Sequence, residues 1–399
     1  MLLPPRKEHV GLAEYRRNGY PIVTLGIYIH IPFCQAKCNY CHFISMPFSR
    51  VTEDRYHKAL LCEMQSSATS CGDKGQVNSI YFGGGTPSLI PAEHVSDLLA
   101  TCRSLLPVAD DCEISLEANP GTLSAEKLEA YRRSGVNRIS LGVQSFDDQE
   151  LSSIGRLHTS ETAVRALRQL GDSGFTNISL DLMLGLPGQA QATWRRNLEI
   201  VERLSISHVS VYMLELDERS PLHARVASGS LRLPDDDLVS DLYLETIDFL
   251  SHCGCPQYEI SNFARPGFAS RHNLKYWRRE PVHGLGLGSH SFDGNSRYAN
   301  CSELGGYIKA VNADRSPVDW REPVSAAQCL AESLFLGLRL TQGVDWKLLQ
   351  ASCGADCLAQ YEPCMRELCG KGLVEWKDSV VRLTAPGMLL SNEIFQRFI

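Results

Sequence analysis

Between Leu25 and Leu214 the chain repeats one pattern, a short apolar run followed by an amphipathic stretch with apolar residues three and four apart. The runs Leu25–His30, Val77–Phe82, Glu113–Glu117, Arg138–Val143, Asn177–Met183 and His208–Met213 predict strands. Between them, Val51–Ala68, Pro91–Leu106, Ser124–Ser134, Ser160–Asp172 and Ala192–Leu204 predict helices. Ser124 ahead of Lys127 and Ser160 ahead of Ala163, each with an acid in the first turn, predict N-caps. Strands that alternate with helices pair in parallel, and right-handed crossovers curl such units into an α/β barrel or a doubly wound sheet. Six units leave an eight-fold barrel incomplete.

Past the sixth strand the rhythm breaks. Leu231–Leu250 predicts a long helix entered through Pro234 and three aspartates, and Gln257–Gly294 reads as irregular, rich in Gly, aromatic and polar residues. After the Pro- and Asp-rich stretch Asp314–Pro323, a helix over Ala326–Leu338 leads into a compact tail. There Ala355–Cys369 reads as helix, Leu373–Trp376 and Val380–Leu383 as a hairpin turned at Lys377-Asp378, and Pro386–Phe398 as helix. The expected fold is α/β: a lead over 1–24, an incomplete parallel (β/α)6 barrel over 25–250, an irregular extension over 251–322 and a small winged-helix-like α+β domain over 323–399.

Composition narrows the function. A formal charge of −7 offers phosphate backbones no general attraction, and the tail's charges nearly balance, so no nucleic-acid partner is expected. Met1–Asn18 has no apolar run long enough for a signal segment, and no stretch reaches the ~20 apolar residues of a membrane span. Fifteen cysteines without an export signal predict reduced thiols and metal ligation in a cytoplasmic protein.

Cys34, Cys38 and Cys41 stand as CxxxCxxC directly after the first strand. Three thiolates on a short loop can bind three corners of a cubane iron–sulfur cluster and leave the fourth iron open. That iron can chelate the amino and carboxylate groups of S-adenosylmethionine (SAM) and pass an electron to its sulfonium. A zinc site completed by His42 is the alternative, although its spacing is unusual for zinc. Tyr40 supplies an aromatic edge for an adenine, and Gly83-Gly84-Gly85 after the second strand is either a plain tight turn or a backbone surface that a ligand amino group can approach closely. In an α/β barrel the two loops would meet at one mouth.

Tyr28-Ile29-His30-Ile31-Pro32-Phe33-Cys34, Phe82-Gly83-Gly84-Gly85-Thr86-Pro87, Glu117-Ala118-Asn119-Pro120, Gly142-Val143-Gln144-Ser145-Phe146 and Asp181-Leu182-Met183-Leu184-Gly185-Leu186-Pro187-Gly188 resemble the oxygen-independent coproporphyrinogen III oxidase group of the radical SAM superfamily. The resemblance runs from about Leu25 to Phe398. The oxidases extend the motif to CxxxCxxCxC, whereas here Cys41-His42-Phe43 has no cysteine at the last place. His272-Asn273-Leu274-Lys275-Tyr276-Trp277 fits the HNxxYW signature of HemW-type haem chaperones, and Gln257–Ala264 also looks like them.

That resemblance implies a 4Fe–4S cluster on Cys34, Cys38 and Cys41, with Tyr28 and Tyr40 lining the SAM pocket. Gly84, Gly85 and Thr86 would hold the methionyl amino group, and Glu117, Gln144, Arg156 and Asp181 would supply the remaining contacts. Glu117, Gln144 and Asp181 fall at or near strand C-termini, where barrel sites are built, though each could equally cap a loop or close a barrel layer. His272 is the leading haem ligand, with Tyr276 as a phenolate or propionate contact and Trp277 as an apolar wall. A structural hydrogen bond at the rim is the competing role for His272, and Cys255-Pro256, His283 and His290 are weaker haem candidates. Cys353, Cys357, Cys364 and Cys369 read as small core residues, and Trp346, Leu348 and Leu349 as packing.

The functions implied are a haem chaperone delivering haem to client haem proteins, respiratory ones among them, or radical decarboxylation of coproporphyrinogen III, or radical tetrapyrrole cleavage. Partners on these readings are haem, a client, an electron donor of the flavodoxin or ferredoxin class, and a second copy of the chain.

Overall fold

All six expected strands form. In the computed structural model, which describes residues 24–72 and 75–398, they are β1 (Thr24–Ile31), β2 (Gln76–Gly84), β3 (Val108–Ala118), β4 (Arg138–Gln144), β5 (Asn177–Leu184) and β6 (His208–Met213), each paired in parallel with the next. Apart from Thr24, the lead expected over 1–24 lies outside the described residues, as does the segment Met1–Asn18.

Period-two alternation splits each strand into two faces. Ile27, Ile29, Ile80, Phe82, Leu116, Leu141, Leu180 and Val209 are buried outward under α1 (Arg50–Gly72), α2 (Ala92–Leu105), α3 (Ala125–Ser134), α4 (Ser160–Asp172), α5 (Gln191–Arg203) and α6 (Asp236–His252). The other face turns Ser79 and Tyr81 of β2, Glu113 and Glu117 of β3, Arg138 and Ser140 of β4, and Asp181 of β5 into the lumen, where they bond to one another and to the extension. This lumen is lined with polar groups, unlike the layered apolar interior of a closed barrel.

The cap expected at Ser124 is present, its hydroxyl accepting from Lys127 N. Thr159, not Ser160, caps α4. The long helix begins at Asp236 behind the Asp235 cap, later than Leu231, and a short helix over Pro221–Ala227 precedes it.

The extension is not irregular. It contains β7 (Gln257–Glu259), β8 (Asn262–Ala264), α7 (Arg271–Trp277), β9 (Val282–Leu285), β10 (His290–Phe292), β11 (Ser296–Asn300), α8 (Leu304–Asn312) and β12 (Val318–Pro323). β9 pairs in parallel with the free side of β1, and the whole forms one open sheet in the order β12-β11-β10-β9-β1-β2-β3-β4-β5-β6-β8-β7. These strands are three to six residues long, too short for a period to mark them, and β8 and β9 join the barrel through distant partners, β6 and β1.

The tail holds α9 (Ala326–Leu338), β13 (Val344–Asp345), α10 (Trp346–Cys353), α11 (Ala355–Ala359), α12 (Glu362–Gly370), β14 (Val374–Lys377), β15 (Val380–Leu383), α13 (Ala385–Leu389) and α14 (Ser391–Phe395). The hairpin turns where expected, with Asp378 at φ +56°. The single helix expected over 355–369 is split, because Pro363 near the start of α12 has no N–H to offer and its ring crowds the carbonyl four residues back. Trp346 packs on Trp376 with centroids 4.8 Å apart, but Leu348 is 70% exposed and Cys357 is exposed, so neither is core. Among the described residues no helix is long and apolar enough to cross a membrane.

Candidate functional site at the barrel mouth

The loop after β1 carries Cys34, Cys38 and Cys41, all half-buried free thiols. Its two ends are tied by a short parallel pairing of Phe33–Cys34 with Met46–Pro47, and its middle by Cys41 N donating to Cys38 O at 3.1 Å. Asn39 N donates to Ile154 O at 3.1 Å and Asn39 O accepts from Leu222 N at 3.0 Å, which moors the loop across the mouth.

The glycine turn lies against this loop. Gly85 N donates to Ile31 O and Thr86 N to Phe33 O, both at 2.8 Å. A Cβ on Gly85 would stand 2.7 Å from Phe33 O and 2.9 Å from Phe33 N, and Gly84 holds φ +114°, so side chains are excluded here by backbone, not by a ligand alone.

A chain of hydrogen bonds links two of the cysteines. Thr86 Oγ1 donates toward Cys34 Sγ at 3.7 Å and accepts from Asn119 Nδ2 at 2.9 Å. Asn119 Oδ1 accepts from Arg156 Nη2 at 2.6 Å, and Arg156 Nη1 donates toward Cys38 Sγ at 3.6 Å. Arg156 also donates to Gly142 O. Asn119 is a site residue that residue order does not single out: its only signal is position, two residues past the strand-end carboxylate Glu117. Gln144 enters the same corner, at φ +71° and with its amide beside Gly142. A non-glycine residue in that region is uncommon and concentrates at functional sites.

Electrostatics in the mouth are set by burial. Burial pushes the Cys34 and Cys41 thiols up, a cost that bound metal would reverse by holding them as thiolates. Glu117 accepts from Tyr81 OH at 2.8 Å and from Gly84 N at 3.2 Å, yet burial, reinforced by nearby Asp181, lifts its carboxyl to about 7. Asp181 accepts from Ser140 Oγ at 3.1 Å and is raised by burial too. Tyr40 packs on the apolar cluster of Ile154, Met183, Leu186 and Leu222. Tyr28 stacks on Tyr81 at 6.2 Å and bonds His30 Nδ1 at 3.1 Å. Thus Tyr28, Tyr40, Gly84, Gly85, Thr86, Glu117, Gln144, Arg156 and Asp181 share one mouth with the cysteines.

The HNxxYW segment borders this group from below, its His272 ring 6.4 Å from that of Tyr28. It forms α7, whose side chains reach the lumen at the far ends of the strands: Glu113 accepts from the backbone N–H groups of Arg271 and His272, both at 3.1 Å. His272 is 1% exposed, with Nδ1 at 3.0 Å from Ser79 Oγ and Nε2 at 3.2 Å from Tyr276 OH. Its ring stacks on Tyr81 at 5.1 Å, and burial lowers its pKa to about 3. Both nitrogens are therefore engaged, and the ring is one Tyr81 side chain away from Glu117. Tyr276 is 39% exposed, while Trp277 lies under the Arg339 guanidinium at 4.2 Å. Cys255 is buried against Ile206 O, His283 bonds Tyr298 OH, and His290 stands exposed beside Trp320, so the three do not converge with His272.

Residues 28–201 match the Radical SAM superfamily and residues 324–390 the HemN C-terminal domain. The chain is 36% identical over 373 residues to the protein named heme chaperone HemW of Bacillus subtilis, covering 93% of this chain and 98% of that one. It is 36% identical over 326 residues to the Bos taurus radical S-adenosyl methionine domain-containing protein 1, mitochondrial, covering 80% and 74%. The solved structure of coproporphyrinogen III oxidase HemN from Escherichia coli superposes with a TM-score of 0.82 at 25% identity, over 97% of this chain and 93% of that one. A half-open barrel with a polar lumen, a cysteine triplet at its mouth and near full-length identity to these relatives leave one assignment: the chain belongs to the HemW family of the radical SAM superfamily.

Proposed function

We propose that this protein is a haem chaperone that carries a 4Fe–4S cluster and SAM at the barrel mouth and hands haem to client haem proteins, respiratory ones included. The observation that carries the cofactor half is the bonded chain Cys34, Thr86, Asn119, Arg156, Cys38, which organises donors around the triplet. Bound there, the cluster and SAM would supply one-electron chemistry, fed by a donor of the flavodoxin or ferredoxin class.

The chain's own residues have definite tasks on this reading. Arg156 can turn from Asn119 to the methionyl carboxylate, Thr86 and the Gly84–Gly85 backbone can meet the amino group, and Glu117, Gln144 and Asp181 can take ribose hydroxyls. Glu117, with its carboxyl near neutrality, can hold or release a proton there. Haem iron can reach His272 Nε2 only after the Tyr276 hydroxyl yields it, so these two residues enter as a pair whose exchange exposes the ligand. A cytoplasmic setting and a working homodimer belong to the same proposal.

The near full-length superposition on coproporphyrinogen III oxidase favours a second reading, oxidative decarboxylation of that substrate. Against it stands Cys41-His42-Phe43, which lacks the oxidases' fourth cysteine. Reconstituted protein should be incubated anaerobically with reductant, SAM and coproporphyrinogen III, and in parallel with haem followed by an apo-haem protein. Stoichiometric haem uptake and transfer without porphyrinogen turnover is the expected result; protoporphyrinogen at catalytic turnover would overturn it. A His272→Ala protein with unchanged haem stoichiometry and spectrum would remove that residue from the site.

A further inference from the structure

On the outer face of the barrel, α1 and α2 bring together a second set of ligand-bearing side chains. Glu53, Asp54 and His94 each place one donor atom within 4.8 Å of the other two. His94 Nδ1 lies 2.7 Å from Glu53 Oε1, and its Nε2 lies 3.9 Å from Asp54 Oδ1. His57, one turn on from Glu53, lies flat on His94 with ring centroids 3.9 Å apart and planes 2° from parallel. Its Nε2 faces Asp97 at 3.5 Å.

Two buried atoms separate this cluster from an ordinary charged contact between helices. Glu53 is 1% exposed, yet Oε2 accepts no hydrogen bond, and the Arg50 guanidinium comes only to 4.0 Å. His57 is 7% exposed and its Nδ1 also has no hydrogen-bond partner. A carboxylate oxygen taken out of water and left unmatched is costly, and such atoms in native folds call for an unseen partner. The charges agree: among the described residues, Glu53, Asp54 and Asp97 have Arg50 as their one lysine or arginine ion-pair partner, beside His57 and His94. The site is open on one side, since the Asp54 side chain is 43% exposed and that of His94 15%.

We propose that Glu53, Asp54 and His94 bind a divalent first-row transition cation through nitrogen and oxygen donors, at a site separate from the cysteine loop. One imidazole and two carboxylates suit Mn²⁺, Fe²⁺ or Zn²⁺, with water completing the shell on the open side. On binding, the hydrogen bond between Glu53 Oε1 and His94 Nδ1 would give way to contacts of both groups with the cation. Because α1 begins three residues after the Met46–Pro47 strand that closes the cysteine loop, a cation bridging α1 to α2 would stiffen the base of that loop.

Mn²⁺ is the probe, since it avoids the many thiols, and its six-line electron paramagnetic resonance signal disappears on binding. The full-length protein should remove about one equivalent of Mn²⁺ from that signal, and His94→Ala and Glu53→Gln should weaken binding about tenfold or more. The Asp54 side chain is 43% exposed, so Asp54→Asn should weaken binding without loss of fold, which keeps the test decisive if Glu53→Gln lowers the yield. A protein with Cys34, Cys38 and Cys41 all changed to Ala should bind Mn²⁺ undiminished, which separates this site from the cluster. An intact six-line signal with wild-type protein at millimolar Mn²⁺, or wild-type affinity in His94→Ala and Asp54→Asn, would overturn the proposal.

Discussion

Glu117→Gln should make the protein more stable above neutral pH when SAM is absent. In the unfolded chain this carboxyl has its ordinary value of 4.5, and in the folded lumen burial lifts it to about 7. Below 4.5 both states hold the proton and the residue is neutral in its effect. As pH rises through this window the unfolded state ionises first, so stability falls, and the loss is complete above about 7. The gap corresponds to about 3 kcal/mol, which partial solvent access at the mouth trims to about 2. A glutamine mimics the protonated acid: its carbonyl can accept from Gly84 N and its amide can donate to the Tyr81 hydroxyl, the two groups Glu117 now engages. For 399 residues the unfolding entropy is about 0.8 kcal/mol per kelvin, so the variant should melt about 2–3 °C higher. Anaerobic calorimetry at pH 8.5 and pH 5 measures this, with the advantage shrinking at pH 5. Equal melting at pH 8.5, or an advantage of the same size at both, would refute the claim that Glu117 is held against its charge. SAM affinity should fall in the same variant.

His272 tests the opposite slope. Its folded pKa near 3 lies below the ordinary 6.5, so the unfolded state takes up protons first and stability is lost as pH falls from 6.5; His272→Gln should flatten that limb of the profile between pH 6.5 and 4. Asn119→Ala removes the link between Thr86 and Arg156, and should cost about 1–3 kcal/mol and weaken SAM binding, read by denaturation and by calorimetric titration. Gly85→Ala would press a methyl into the Phe33 backbone and displace the cysteine loop; iron and sulfide per chain should fall well below wild type after reconstitution. With Cys34, Cys38 and Cys41 all replaced by Ala, the four irons and the cluster absorbance should vanish, and their retention would place the cluster elsewhere.

Local chemistry made much of this molecule legible from residue order. The six barrel strands lie where apolar runs put them, because a strand packed under helices needs a run of apolar side chains on its outer face. The cysteine triplet and the Gly83–Gly85 turn were visible because each works within a few residues, and their meeting followed from the adjacency of β1 and β2. The Leu348 and Cys357 expectations failed for the complementary reason: helical spacing names a face but not whether anything covers it.

Tertiary structure alone decided the rest. The strands of the extension are too short to carry a period, and β9 is a strand because β1 offers an unpaired edge more than two hundred residues earlier in the chain. Ser79 meets His272 across 193 residues, and Asn119 meets Arg156 across 37. A side chain's period sets which way it points, but only the curl of the whole sheet sets what it then faces. For that reason His272 reads as an available imidazole in the linear chain and is an engaged, buried one in the fold.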